Sequence, residues 1–280
     1  MRNLRGGLVV GALLCSVLVV ARDAPTSLTA DQWREDLRYL ATELAKRHKN
    51  LYHATSRESF ERAVADLDAV IPSLQPHQIV VRMKQITATV GDGHTGVHLP
   101  PSFKRYPLGL FWLGPDLRVT AAAKEYQKAL GARVVKIGAL PIEQVEARVR
   151  SCFPSAENEN TWYVLATSPA FLAVPEVLHA LGVVPDLGEA PFTLEDEKGS
   201  QFVLGIRPID VPVVKGESTL RLTSVVKQEP LFRQRPGERF WFTYLPDAKT
   251  VYSTSGATTP WGRMRRSSSG SSTATRHSGS

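Results

Sequence analysis

Cysteine is almost absent from these 280 residues, which hold only Cys15 and Cys152. Cys15 falls inside an apolar leader, and without that leader Cys152 has no partner, so an internal disulfide and a four-ligand zinc cluster are both excluded. Cys152 itself follows an amphipathic pattern and precedes Pro154, the position of a packing thiol rather than a nucleophile. Acidic residues are missing after Asp247, where Arg263, Arg265, Arg266 and Arg276 stand uncompensated. Removing these four together with Arg2 and Arg5 from the 34 basic residues leaves 28 against 27 acidic ones. The formal charge of +7 is therefore confined to the two ends, and the near-neutral body excludes a phosphate-binding face, so nucleic acid is not an expected partner.

The chain also lacks a serine poised for nucleophilic attack. Ser267-Ser268-Ser269-Gly270-Ser271-Ser272 lie in low-complexity sequence, with no strand pattern before them and no Gly-x-Ser-x-Gly elbow. Of the 28 residues in 253–280, eighteen are Ser, Thr or Gly and none is Leu, Ile, Val or Phe. Such a segment buries too little apolar surface to offset its ordering entropy, so a disordered tail is expected.

At the other end, Met1, Arg2 and Arg5 precede an almost wholly apolar run over 8–21. This is the pattern of a secretory signal with cleavage at Val19-Val20-Ala21, and the run is short for a membrane span. An exported protein, periplasmic or extracellular, is expected, touching a membrane only through its leader. Cys15 is a candidate for lipid attachment, although Leu14 rather than a small residue precedes it.

Between these ends, a hydrophobic content of 42% suffices for a packed core and is arranged in clear periods. Thr29 and Gln32 have capping-box spacing, and Trp33, Leu37, Leu40 and Leu44 recur at helical intervals up to the basic run Lys46-Arg47-His48-Lys49. Thr55 and Glu58 form a second box before a helix carrying Phe60, Val64, Leu67 and Ile71, stopped by Pro72. A third helix starts at Pro76, presents Ile79, Met83, Ile86 and Val90, and ends at Gly91.

From Tyr106 the period changes to that of strands, over 108–113 and 117–121, joined across Gly114-Pro115-Asp116. A short helix over 124–130, a strand over 133–137 and a helix over 142–149 follow. The stretch 162–181 reads as helix in two pieces, broken at Pro169 or Pro175. Segments 192–195 and 202–206 form a hairpin at Gly199, and 240–244 with 250–252 another at Pro246-Asp247. The expected fold class is α+β. A signal peptide (1–21) precedes an N-terminal three-helix cap (22–100), a mixed α/β body with β-hairpins (101–252) and the disordered tail (253–280).

Where the cap meets the body stands Gly91-Asp92-Gly93-His94-Thr95, which places an imidazole, a carboxylate and a hydroxyl on a backbone freed by glycines. His94 and His98 are four apart, but Gly91, Gly93 and Gly96 disfavour a helix, and along a strand the rings would lie roughly 13 Å apart, too far to share one ion. Neither a metal nor a cofactor is expected. Two readings remain for His94. In one, the glycines merely flank a turn capped by Asp92 and the imidazole bonds the backbone. In the other, they bring the imidazole to a cleft edge, where Asp92 or Thr95 fixes its tautomer and it acts as a general base.

At these residues the chain resembles the tail-specific (C-terminal processing) serine peptidase family. The resemblance runs through Asp36-Leu37-Arg38-Tyr39-Leu40, Phe60-Glu61-Arg62-Ala63-Val64 and Val90-Gly91-Asp92-Gly93-His94-Thr95. It continues through Leu130-Gly131-Ala132-Arg133-Val134-Val135-Lys136-Ile137-Gly138, Pro141-Ile142 and the segment 240–252, covering roughly 30–252. It implies hydrolysis of peptide bonds in a peptide or protein substrate, and specifies no oligomeric state. Some branches use a Ser-Lys dyad in a trailing domain; others use a His ahead of that domain with a later Ser and an acidic residue. By resemblance His94 is the base of the second kind, with Asp92 and Thr95 supporting it, and 131–149 is similar to the end of a PDZ-like peptide-binding unit. The trailing domain that brings the nucleophile has no counterpart here.

Read one nucleotide earlier, every Ser codon of the TCN type becomes a codon with T in the middle, which specifies an apolar residue. The serine-rich tail thus conceals a potential apolar run, and 253–259 can then read Phe-Asn-Phe-Arg-Gly-Tyr-Asp, similar to the family's entry strand to its catalytic domain. A frameshift near Tyr252 is the expectation that follows, and with it a truncated serine peptidase, inactive as written. The alternative is a non-catalytic secreted module that binds extended peptides by strand addition at an exposed edge.

Overall fold

The computed structural model describes residues 28–154, 161–210, 219–222, 231, 234, 235, 238 and 240–255. The expected signal peptide, with Cys15, and the tail beyond Ser255 lie outside these residues. No described helix is long and apolar enough to cross a membrane.

The first helix, α1 (Ala30–Arg47), opens on the expected capping box: Gln32 N donates to Thr29 Oγ1 at 3.3 Å, and Thr29 N donates to Gln32 Oε1 at 2.8 Å. These reciprocal bonds satisfy amide groups that a helix start otherwise leaves unpaired. Thr29→Ala is expected to lower stability by about 1 kcal/mol, read as a shift in the urea midpoint. Thr29→Ser keeps the acceptor and should remain close to wild type.

The second helix, α2 (Arg57–Val70), starts one residue later than the Thr55–Glu58 spacing indicates. Its cap is Ser56, in extended conformation, whose hydroxyl accepts from Ser59 N at 3.1 Å. Pro72 sits within a 3₁₀ turn, Ile71–Ser73, that ends this helix. The third helix, α3 (Pro76–Ala88), begins at its proline as expected.

A cluster of Leu37, Phe60, Leu67, Ile71, Ile79, Met83 and Ile86 joins the three helices. The sequence pattern assigns α3 a single apolar stripe, yet His77, Val80, Val81, Thr87 and Ala88 are buried as well. The reason is that α3 has neighbours on two sides: Val81 belongs to the core of the body, while Ile79, Met83 and Ile86 face α1 and α2. A helix held on two sides gives a firm base to whatever follows its C-terminus.

The body contains β1 (Leu108–Leu113), β2 (Asp116–Ala123), β3 (Arg133–Ile137), β4 (Leu140–Pro141), α4 (Ile142–Arg150), α5 (Thr161–Phe171), α6 (Pro175–Ala180), β5 (Ala190–Glu195), β6 (Gln201–Ile206) and β7 (Thr219–Arg221). Its sheet is antiparallel in the order β1-β2-β3-β5-β6, with β4 added to β3 and β7 to β2. The expected short helix after β2 is a 3₁₀ segment, Lys124–Ala129. The break in 162–181 falls before Pro175, the first residue of α6, whereas Pro169 is accommodated inside α5.

Val119, Val134, Ile137, Val145, Val149, Phe192 and Leu194 are fully buried between sheet and helices. Phe192 meets the ring of Tyr106 edge-on at 5.3 Å. Fixing β3 against β5 also aligns Arg133 with Glu195, which are opposite one another and ion-paired at 2.9 Å.

Residues Met1–Leu222 form one compact unit and Thr223–Ser280 a second. Within the second, β8 (Phe240–Leu245) and β9 (Thr250–Ser255) make an antiparallel hairpin. The strand runs three residues past the boundary expected at Tyr252, because Ser253, Thr254 and Ser255 continue the ladder opposite Phe242, Trp241 and Phe240. Trp241 is buried against Tyr252 and the Arg235 guanidinium, while Phe240, Phe242 and Tyr244 on the other face are exposed.

Candidate active site

The candidate site begins where α3 stops. Thr87 and Thr89 donate their hydroxyls to the carbonyls of Lys84 and Ile86, at 2.9 and 2.7 Å, folding both side chains back onto the end of the helix. Gly91 then adopts φ +76°, a left-handed conformation that glycine reaches without strain, and turns the chain away from the helix axis.

Asp92 organises the turn that follows. Its Oδ1 accepts the backbone N–H of His94 at 3.0 Å, its Oδ2 accepts the Thr95 hydroxyl at 2.7 Å, and its carbonyl accepts the Thr95 N–H at 3.0 Å. These donors favour the ionised carboxylate. The His94 amide first, then the Thr95 hydroxyl, hold Asp92 well below the usual carboxylate range, with smaller contributions from the rings of His48 and His94 opposing the effect of burial.

His48 is the partner that sequence reasoning missed. It stands at the C-terminal cap of α1, and its Nε2 lies 3.3 Å from Asp92 Oδ2. Its Nδ1 accepts the backbone N–H of Asn50 at 3.2 Å, which leaves the proton of a neutral ring on Nε2, directed at the carboxylate. In the sequence His48 is one member of a basic run at a helix end, and no local signal distinguishes it from Lys46 or Lys49. The contact joins residues 44 apart and exists only once α1 and α3 have packed.

Asp92, His94 and Thr95 are thus brought together, and His94 is divided in its environment. Its backbone is tied to Asp92 while its side chain is fully exposed, with Nδ1 3.5 Å from Asp92 Oδ1. An imidazole so placed can keep a proton on Nδ1 beside the carboxylate and present Nε2 to a reacting group. Among the described residues no Ser, Thr or Cys side chain hydrogen-bonds this ring.

After Thr95 the chain is irregular as far as β1, so His98 lies neither on a helix with His94 nor on a strand. Both imidazoles border one cleft of about 320 Å³, which runs between the end of α3, the 93–99 segment, the loop after α4, and α5. Cys152 also lines it but is buried, and burial pushes its thiol up to about 11, the environment of a packing residue rather than of a reactive thiolate. Among the described residues no group of three or more His, Cys, Asp or Glu side chains converges as a metal site.

No family model matches the sequence. No curated protein matches it either. Among solved structures, the chain is similar to CPAF, a chlamydial serine protease, in complex with lactacystin, at 14% identity and a TM-score of 0.47, over 76% of this chain and 41% of that one. A structure of mature CPAF gives 13% identity and a TM-score of 0.43, over 65% and 36%. The chain spans about two fifths of the length of these proteins.

Proposed function

We propose that this chain is the base-bearing part of an exported serine peptidase of the tail-specific family, with His94 as the general base and Asp92 and Thr95 holding it in place. One observation carries the reading. The Asp92 carboxylate spends its acceptors on the His94 amide, Thr95 and His48, so the segment is rigid where the imidazole is attached and open where it points, beside a cleft. In the reaction, His94 Nε2 takes the proton of an attacking serine hydroxyl as that oxygen bonds to the scissile carbonyl carbon. The imidazolium then returns the proton to the leaving amine. Export rests on the leader ending at Ala21, and the nucleophile on the frame that a shift near Tyr252 conceals.

The test is to resequence the coding DNA from codon 240 and translate both frames. The expected result is one misplaced base, followed by an apolar α/β domain containing a serine. The restored protein should cleave unstructured peptides and lose that activity with His94→Ala; unchanged cleavage would sink the proposal. The 280-residue chain should remain unlabelled by a fluorophosphonate probe, because a base without a nucleophile and oxyanion donors forms no acyl-enzyme. Labelling at any serine of this chain contradicts the reading.

A second reading rests on β1, which has β2 on one side and no described strand on the other, and exposes Phe111 and Leu113. Such an edge can accept an extended peptide as an added strand. Saturable peptide binding that is insensitive to His94→Ala and unaccompanied by cleavage favours this module over the peptidase.

A further inference from the structure

The cleft beside His94 carries a charge that the proposed chemistry does not use. Lys84 projects from the last turns of α3 into it, half-buried, and its ammonium donates to the carbonyl of Val97 at 3.0 Å. Nζ lies 5.3 Å from the ring centroid of Phe171 and 6.0 Å from that of Phe153. An ammonium has three N–H donors, and Val97 takes one of them. Lys84 forms no ion pair with any described carboxylate, and the described wall of the cleft contains Arg105 and two imidazoles but no Asp or Glu. Asp92, the nearest acid in sequence, is committed to the turn.

Gly96 leaves the ammonium accessible. A Cβ at that position would stand 3.8 Å from Lys84 Nζ, so any larger side chain there would cover it. Aromatic faces behind the charge and an open approach in front make a setting for an anion attached to an apolar group.

We propose that this cleft is a subsite for a substrate carboxylate, which pairs with Lys84 through the opening above Gly96 while its neighbouring apolar group packs on the partly exposed Phe171. The inference rests on the reading of the cleft as a peptide site and adds its specificity. Burial pulls the Lys84 ammonium below its ordinary range by desolvating it, an effect that the neighbouring Cys152 opposes only in part. A bound carboxylate supplies a counter-charge. The carboxylate has two sources in a peptide, an Asp or Glu side chain or the chain end, and both offer the same group to Lys84.

The 280-residue chain would be titrated calorimetrically with acetyl-Ala-Ala-Glu-Phe-Ala-amide, with its Gln counterpart, and with the Gln peptide carrying a free C-terminal carboxylate. The glutamate peptide is expected to bind about tenfold more tightly than the capped Gln peptide, with a gap that narrows as salt rises. Recovery of affinity by the free-ended Gln peptide alone assigns the subsite to a chain end; preference for Glu alone assigns it to a side chain. Lys84→Met should close the gap, and Gly96→Val should close it too while leaving the lysine in place. Equal binding of all three peptides by the wild-type chain overturns the proposal without recourse to any variant, as does no binding of any of them, or a gap that survives Lys84→Met. The result is separable from the peptidase reading: a carboxylate preference in this chain, with cleavage by the frame-restored protein insensitive to His94→Ala, leaves the subsite standing and removes the base. His94-dependent cleavage without that preference does the reverse.

Discussion

Gly138→Ala is expected to destabilise the fold by about 2–4 kcal/mol, combining strain of a left-handed backbone with local overpacking. Gly138 has φ +62° in the short connection from β3 to β4, and its N–H donates to Pro191 O at 2.9 Å. A Cβ built there would lie 2.5 Å from the carbonyl oxygen of Val183. That oxygen is backbone, in the segment after α6, and cannot rotate away as a side chain would. Gly199 is an internal control: its φ is +80°, but a Cβ there meets nothing within 4 Å. Gly199→Ala should therefore show only the backbone component, about 1 kcal/mol. Urea unfolding of both variants separates the two effects, and equal losses would refute the role assigned to the Val183 contact.

Asp92→Ala is expected to lower stability by about 2 kcal/mol near neutral pH, since it removes three hydrogen bonds to a charged acceptor, discounted for partial exposure. The acid limb is the sharper measurement. The carboxylate is held below its ordinary range by the His94 amide and the Thr95 hydroxyl, so protons bind more tightly to the unfolded chain than to the folded one. The stabilisation is complete above the unfolded value of about 4 and is lost as pH falls through the depressed folded value. Wild type should thus lose stability faster than Asp92→Asn as pH falls below about 4, the difference between them narrowing steadily through the acid limb. Parallel acid profiles would show that the carboxylate charge does not secure the turn. His48→Gln, which keeps a donor for the carboxylate, should retain more of the stability than His48→Ala.

The parts of this architecture legible from the sequence are those written in local signals. The Thr29–Gln32 box, Pro76 at the start of α3, Gly91 with its positive φ and the hairpin turn at Gly199 each act within a few residues. The Gly-Asp-Gly-His-Thr turn belongs with them, because Asp92 bonds only two and three residues ahead. Where competing local options exist, spacing selected the wrong one: Thr55 and Ser56 both suit a cap, and the reach of the Ser56 hydroxyl to Ser59 decides between them.

What could not be read depends on approach in space. The pairing of β3 with β5 across three helices, the two-sided burial of α3, and the His48–Asp92 contact follow from packing rather than from any period. Lys84 illustrates the same limit, because a lysine in the C-terminal half of an amphipathic helix draws no notice until Phe153 and Phe171 are found behind it.

The split environment of His94 has a consequence for how such a group comes to act. Its amide is locked while its ring is wholly solvated. Torsional freedom is therefore concentrated in two side-chain bonds at the end of a stationary stem. The ring is anchored but not aimed. Whatever engages its outer nitrogen supplies the direction, and the ordering entropy falls due at that encounter rather than during folding. In the proposed role as a base, competence is thus conditional by construction: the position of the imidazole is inherited from α3 and Asp92, and its orientation is conferred by the group it meets.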